Sequence, residues 1–283
     1  MKIITSVVNN VDFIEMQYHT LKRFFKGDYE FIVFNDAKGY PDFTNGGDYT
    51  IRERIEDICK KFNIQCINIP NEHHKGMDMS ERHADTFNKH VLKYQIDNPD
   101  KYLLLDSDMF LIDDFDINKY TQYECAIVLQ SRESPKINYF WPGLCYLDFT
   151  RIQNIDMLDW SLYEGCDSGG NMEGWLNKQM GTSIIPSTDE VQDVNKSVHT
   201  DKVYFIKHLS SGTWESSNLP ENLKGNIQLI EFLNNDIRNT NDKYFCEIYD
   251  NVFLHYRAGG NWLKEGMNVH EYLTGQLKEA LLI

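Results

Sequence analysis

YLLLDSDMFLIDDFD, residues 102–116, is the stretch on which the reading of this chain turns. Tyr102, Leu103, Leu104 and Leu105 are apolar without alternation, the pattern of a strand covered on both faces, as in a parallel sheet lined by helices. The run stops at Asp106-Ser107-Asp108. Ligands of open α/β sheets gather beyond the carboxyl ends of the strands, so chemistry is expected at this junction. Two carboxylates one residue apart on a turning backbone suit Mg²⁺ or Mn²⁺, one binding directly and the other directly or through water, with positions left over for phosphate oxygens. Asp-x-Asp alone is common in acidic proteins, and it is the buried strand before it that gives the pair weight. Asp113, Asp114 and Asp116 read as a solvated turn.

Working outward, the residues before 102 alternate short β-type runs with amphipathic stretches, as crossover helices between parallel strands require. Strands are expected at Lys2 to Val8, Glu30 to Phe34 and Gln65 to Ile69. Ile14, Tyr18, Leu21 and Phe25 recur at helical spacing, Thr50 to Phe62 reads as a second helix, and Ser80 to Gln95 as a third with Ala84, Phe87, Val91 and Tyr94 inward. Ser80 is the expected cap of that helix. Beyond residue 120 strands are expected at Ala126 to Gln130, Leu144 to Leu147, Val203 to Lys207 and Val252 to His255. A helix is expected near Gly170 to Met180, and a closing one on Val269, Leu273, Leu277 and Ala280. With no repeat, low-complexity tract or linker-like run, the expectation is one domain over 1–283, with 1–117 and 118–283 as its two halves.

The 283 residues are 41% hydrophobic, ample for a packed core. With 28 basic and 43 acidic side chains the net charge is −15, which argues against a general nucleic-acid or anionic-membrane surface. A phosphate-bearing substrate would then need a bound cation, a few placed Arg or Lys side chains, or helix N-termini. Six scattered cysteines without CxxC or zinc-like spacing read as reduced thiols of a cytoplasmic protein. Neither a signal-peptide core in MKIITSVVNN nor a transmembrane segment is expected.

The segment 81–116, ERHADTFNKHVLKYQIDNPDKYLLLDSDMFLIDDFD, resembles the core of glycosyltransferases of the GT-A fold, metal-dependent enzymes with a DxD motif. The resemblance implies an α/β fold with a mostly parallel central sheet flanked by helices. It also implies a nucleotide-diphosphate sugar as donor (UDP- or GDP-linked), Mn²⁺ or Mg²⁺, and a glycan, lipid-linked or protein hydroxyl as acceptor. By the same resemblance Asp106 faces the ribose or the metal, Asp108 is the principal metal ligand, and Arg82, His83, Asn88 and Ser107 lie near the donor. The first two strands would hold the base, implicating Thr5, Ser6, Val7 and Asp36.

Downstream, VFLHYRAGGNW (residues 252–262) delivers His255 from an apolar strand into a glycine-bearing loop. The resemblance makes His255 a third metal ligand, with Arg257, Gly259, Gly260 and Trp262 over the diphosphate; imidazole suits Mn²⁺, and Arg257 would neutralise charge on the leaving nucleotide. KHLSSGTW (residues 207–214) places His208 in a similar pattern and competes for the same role. Asp167, before Ser168-Gly169-Gly170, is the candidate catalytic carboxylate: a general base if the enzyme inverts, a positioning group if it retains. The alternative for Asp167 or Ser168 is a helix N-cap. The chain has neither a Glu-Asp base motif nor Lys-Pro-Trp after the histidine, so stereochemistry stays open.

Three rival readings remain. A haloacid-dehalogenase-type phosphatase also begins with strand-Asp-x-Asp, but near the N-terminus and with Thr or Val after the second Asp, where this chain has Met109-Phe110. A nucleotidyltransferase on a related fold would need a Gly- and Lys-rich triphosphate loop after the first strand, where this chain has VVNNVDF. A non-catalytic protein that binds carbohydrate or nucleotide-sugar would keep the fold without turnover.

Overall fold

The structure is a computed structural model that describes residues 1–192 and 197–282. Its first half follows the strand-helix alternation: β1 (Lys2–Val7), α1 (Val11–Phe24), β2 (Phe25–Lys26), β3 (Glu30–Asn35), α2 (Ile51–Lys61), β4 (Gln65–Asn68), α3 (Met79–Thr86), α4 (Lys93–Asp97) and β5 (Lys101–Asp106). There follow β6 (Met109–Leu111), β7 (Phe115–Asp116), α5 (Asn118–Thr121), β8 (Cys125–Glu133), β9 (Lys136–Asp148), α6 (Glu173–Met180), α7 (Thr188–Gln192), β10 (Val198–His199), β11 (Val203–Phe205) and β12 (His208–Leu209). α8 (Ile227–Asn235), β13 (Glu247–Tyr249), β14 (Phe253–His255), α9 (Trp262–Glu265) and α10 (Met267–Leu282) complete the strands and α-helices among the described residues.

Eight strands form the main sheet in the order β10-β11-β8-β9-β5-β1-β3-β4, with β1, β3, β4 and β5 mutually parallel and only β9 and β10 reversed. This is the α/β class with a mostly parallel sheet that the alternation predicts. Along β5, Leu103 and Leu105 join the core on one face while Tyr102 and Leu104 join the core on the other, which is why the strand reads as apolar throughout.

A second sheet, β12-β13-β14-β6, is antiparallel and stands at the carboxyl end of β5. Two residues, Ser107 and Asp108, separate the end of β5 from the start of β6, and β14 pairs with β6 so that His255 lies opposite Met109. A segment about 150 positions downstream is thereby brought against the Asp106–Asp108 turn, and a third core, including Phe110, Leu254, Tyr256, Leu273 and Leu277, seals the sheet beneath α8 and α10.

Two local expectations are corrected. The third helix is one run interrupted by a wide π-turn over Phe87–Leu92, and its cap is Asp78, whose side chain accepts from the Glu81 N–H, rather than Ser80. The strand expected at Leu144 to Leu147 is thirteen residues long. Its pairing with β8 slips between Ile127, opposite Cys145, and Val128, opposite Trp141. Pro142, with no N–H to give a ladder, lies in the slipped segment. Among the described residues no helix is long and apolar enough to cross a membrane, and all six cysteines are free thiols.

Candidate active site

The Asp106–Asp108 turn is held from below by a residue that periodicity did not single out. Gln17 of α1, 1% exposed, donates through Nε2 to the carbonyls of Asp106 (2.8 Å) and Met109 (3.1 Å), fixing both ends of the turn. Asp106 Oδ1 accepts the Ser107 N–H at 3.0 Å, and Asp108 Oδ2 accepts the Gly259 N–H at 2.9 Å.

His255 completes the cluster. Its Nε2 stands 3.2 Å from Asp108 Oδ1 and 4.0 Å from Asp106 Oδ2, while Nδ1 meets Glu247 Oε2 at 3.0 Å. Glu247 Oε2 also accepts the Tyr249 hydroxyl at 2.7 Å, so the carboxylate that orients the imidazole is itself fixed. Burial alone would push His255 down, but the Asp108 and Glu247 carboxylates outweigh it and raise it to about 10. Burial and the neighbouring Asp108 push Asp106 up; in Asp108 burial is overcome by His255 and the carboxyl is held down. Glu247, in turn, is held down to about 2 because His255 and Arg257 outweigh its burial.

Above the cluster passes the loop from Arg257 to Asn261. Arg257 and Ala258 take left-handed φ values of 67° and 56°, uncommon for residues with a side chain. Gly259 is needed for space: a Cβ there would stand 2.5 Å from Phe13 Cε2 and 2.9 Å from Asp108 Oδ2. Asn9 ties this loop to the opposite rim, donating to the carbonyls of Thr44 (3.0 Å) and Gly260 (3.3 Å).

These groups open on a cleft of about 360 Å³. On its second wall Asp36, 1% exposed, meets Lys38 Nζ at 2.6 Å and Arg82 Nε at 2.9 Å, and Arg82 also pairs with Asp42. Burial would raise Asp36, but His74, Arg82 and Lys38 hold its carboxyl well below the usual carboxylate range. On the third wall His83 Nδ1 lies 3.0 Å from Ser168 Oγ, and His83 Nε2 is buried without a hydrogen-bond partner. Asp167 lines the cleft beside it, with Oδ1 accepting the Ser168 N–H at 2.7 Å. The short helical turn that follows begins at Gly170, with Gly169 at φ 93° as its cap, so neither Asp167 nor Ser168 takes the N-cap position.

Of the residues singled out from sequence, Ser6, Asp36, Arg82, His83, Asp106, Ser107, Asp108, Asp167, His255, Arg257, Gly259 and Gly260 line this one cleft. Four lie outside its lining. Thr5 and Val7 are buried on β1, 0% and 1% exposed. Asn88 spends its amide on Asp159, Ser161 and the Trp160 N–H, bracing the segment that leads to Asp167. Trp262 borders a neighbouring hollow with Asn10 and Thr274. Asp36 lines the cleft with its carboxylate paired to Lys38 and Arg82. Of the two competing histidines, His255 joins the Asp pair, whereas His208 stacks on Tyr249 at 5.6 Å with Nε2 3.3 Å from Gln192.

Two contributors were not singled out from sequence, Gln17 and Glu247; the cleft is also lined by Trp141, whose ring lies 5.0 Å from that of His255. A buried polar residue on a helix face that is otherwise apolar was the available clue for Gln17. Glu247 could have been found only by knowing that β13 pairs with β14.

The ligating atoms of Asp106, Asp108 and His255 all lie within 4.8 Å of one another. Two carboxylates and an imidazole whose far nitrogen is held by a carboxylate form a donor set that fits Mn²⁺ or Mg²⁺ with its outer support in place. Four aspartates line the cleft against two arginines, and Arg82 is already neutralised, so an anionic ligand would need an added cation here.

No family model and no curated protein matches the chain. Among solved structures it is similar to an active-site mutant of LgtC, at 14% identity over 72% of this chain and 87% of that one, with a TM-score of 0.38. It is also similar to the galactosyltransferase LgtC in complex with donor and acceptor sugar analogues, at 14% identity over 56% of this chain and 62% of that one, with a TM-score of 0.32. Neither overlap assigns a role to any residue of this chain.

Proposed function

We propose that this chain is a metal-dependent glycosyltransferase of the GT-A type that moves a sugar from a nucleotide-diphosphate donor to a hydroxyl acceptor. The observation that carries the reading is the convergence of Asp106, Asp108 and His255 beneath the Gly259–Gly260 loop, at the carboxyl end of the central strand and in a cleft short of positive charge. Asp106, Asp108 and His255 would hold Mn²⁺ or Mg²⁺, which when bound supplies Lewis-acid stabilisation of the departing diphosphate.

In this reading the chain's own residues divide the remaining work. Glu247 keeps the proton on His255 Nδ1, leaving Nε2 as the ligating atom. The loop closes one side of the cleft against water, and Arg257 supplies a cation at its mouth. His83 Nε2, costly to leave buried and unpaired, is offered to a donor oxygen. Asp167 faces the acceptor side, where it takes the hydroxyl proton if the reaction inverts and positions the sugar if it retains. Ser6 and Ser107 border the cleft for the nucleoside; the 1–117 half serves the nucleotide-sugar, while the 118–283 half serves the acceptor and returns the loop from His255 to Gly260 to the metal and diphosphate. The acceptor is a glycan, a lipid-linked sugar or a protein hydroxyl.

The test is nucleotide release from a panel of UDP- and GDP-sugars with and without Mn²⁺. The reading predicts metal-dependent release from one donor that Asp108→Asn lowers by about 10²-fold or more, the size of effect seen when a group stabilising transition-state charge is removed. Metal-independent release that Asp108→Asn leaves unchanged would overturn it.

A further inference from the structure

Outside the cleft, one cluster of side chains has a composition that the proposed activity does not use. His73 Nε2 and His74 Nε2 both approach Asp85 Oδ2, the latter at 3.1 Å, and the ligating atoms of the three residues all lie within 4.8 Å of one another. We propose that His73, His74 and Asp85 form a second metal site, for a zinc-class divalent ion, distinct from the Asp106/Asp108/His255 cluster.

Four features support a built site rather than a chance meeting of surface side chains. First, the two oxygens of Asp85 are divided: Lys89 Nζ takes Oδ1 at 2.7 Å, leaving Oδ2 to the imidazoles, as single-oxygen ligation requires. Second, His74 is fully buried at its side chain, and its far nitrogen, Nδ1, stands 3.3 Å from Asp36 Oδ1. That contact is close but not aligned as a full hydrogen bond, and a carboxylate behind a ligating histidine is the usual outer support of a zinc site. Third, His74 adopts a left-handed φ of 70° although it is neither glycine nor exposed. That conformation lets two consecutive imidazoles, 4.0 Å apart at 67°, turn toward one oxygen. Fourth, the loop is pinned before any ion arrives. Tyr40 donates to the His73 carbonyl at 2.9 Å, Lys38 reaches the Pro70 carbonyl at 3.4 Å, and the Met77 N–H closes on the His74 carbonyl at 3.1 Å.

The donor chemistry selects the ion. Two imidazoles and one carboxylate are the ligand set of zinc and its transition-metal neighbours, less suited to Mg²⁺ or Ca²⁺, which favour shells dominated by oxygen. Three protein ligands leave a fourth position for water, and His90, whose ring lies edge-on to His73 at 5.2 Å with Nε2 buried and unpaired, stands beside it as a further imidazole. Because Asp36 faces both this cluster and Arg82 in the cleft, an ion here would fix the cleft's second wall.

The experiment separates the two metal sites by starting from Asp108→Asn protein, in which the first is crippled. That protein is equilibrated with buffered Zn²⁺, assayed for bound metal, and its Co²⁺ form is examined for the absorption of a four-coordinate site. One tight equivalent is expected, lost in both His73→Ala and Asp85→Asn added to that background, with a fall in affinity beyond the 10–100-fold that removal of an outer-shell partner causes. The side chains of His73 and Asp85 are partly exposed, at 24% and 16%, so both variants should melt in EDTA within a few degrees of the parent. Zinc that is absent, that vanishes with Asp108→Asn alone, or that is retained by both added variants would overturn the proposal.

Discussion

Replacing Asp36 by Asn should destabilise this protein more than any other single charge removal on the cleft wall, and the reason lies in which partner is stranded. Arg82 keeps Asp42 after the change, and Thr86 can turn its hydroxyl elsewhere. Lys38 cannot: its side chain is 0% exposed and its other acceptor is the Pro70 carbonyl at 3.4 Å. Burial already pushes the Lys38 ammonium down against the pull of Asp36, so losing the carboxylate leaves a cation that must either stay charged and unpaired or give up its proton. Breaking a buried pair from one side costs about 3–5 kcal/mol, a large share of the roughly 5–15 kcal/mol that holds a domain folded. With an unfolding entropy of about 0.6 kcal/mol/K for 283 residues, the melting temperature should fall by about 5–8 °C.

Urea unfolding at neutral pH measures the loss, and adding Lys38→Met should recover part of it, with a coupling of about 0.5–3 kcal/mol. The pH dependence has a definite sign. The folded-state pKa of Asp36 lies below its ordinary 3.8, so its contribution is fully present above that value and fades as pH falls toward the folded-state pKa. The wild type should therefore lose stability more steeply below about pH 4 than Asp36→Asn does. A variant within about 0.5 kcal/mol of wild type, or a double variant no better than the single one, would refute the reasoning.

Other consequences are smaller in scope. Glu247→Gln removes the carboxylate behind His255 and should weaken Mn²⁺ binding by about 10–100-fold with the fold intact, read by metal titration. Gly259→Ala forces a methyl against Phe13 and Asp108 and should cost about 1–3 kcal/mol in urea unfolding while reducing metal-dependent nucleotide affinity. Gly143→Ala places its Cβ 2.0 Å from the Trp141 ring, so the indole must leave His255, and its fluorescence should change along with a similar loss of stability. Asp167→Asn should lower turnover by about 10²–10⁴-fold if it is the base, with donor affinity little changed, and much less if it only positions the sugar.

The sheet was legible where local pattern suffices. The uninterrupted apolar run at 102–105 and the alternation before it declared a parallel sheet because both faces of those strands are buried, a constraint each residue carries by itself. The cluster was legible in part. Asp106 and Asp108 are neighbours in sequence and announced themselves, whereas His255 and His208 could be separated only by the pairing of β14 with β6, a contact between distant segments. Gln17 and Glu247 act through atoms that meet backbone or side chains far along the chain, and the pairing of Asp36 with Arg82 likewise joins segments that are distant in sequence. Asn88, in the expected order on its helix, has its amide bonded to the segment 159–161 instead of facing the cleft.

The most direct test of the central claim is thermal unfolding with UDP or GDP, each with and without Mn²⁺, for the wild type and Asp108→Asn. A ligand at a hundred times its dissociation constant stabilises by about 2.7 kcal/mol, which for a chain of 283 residues is a shift of about 4–5 °C. One nucleotide should raise the wild-type melting temperature only when Mn²⁺ is present and leave Asp108→Asn unmoved. A shift of equal size without metal, an equal shift in Asp108→Asn, or no shift with either nucleotide would contradict the assignment of Asp106, Asp108 and His255 as a metal-diphosphate site.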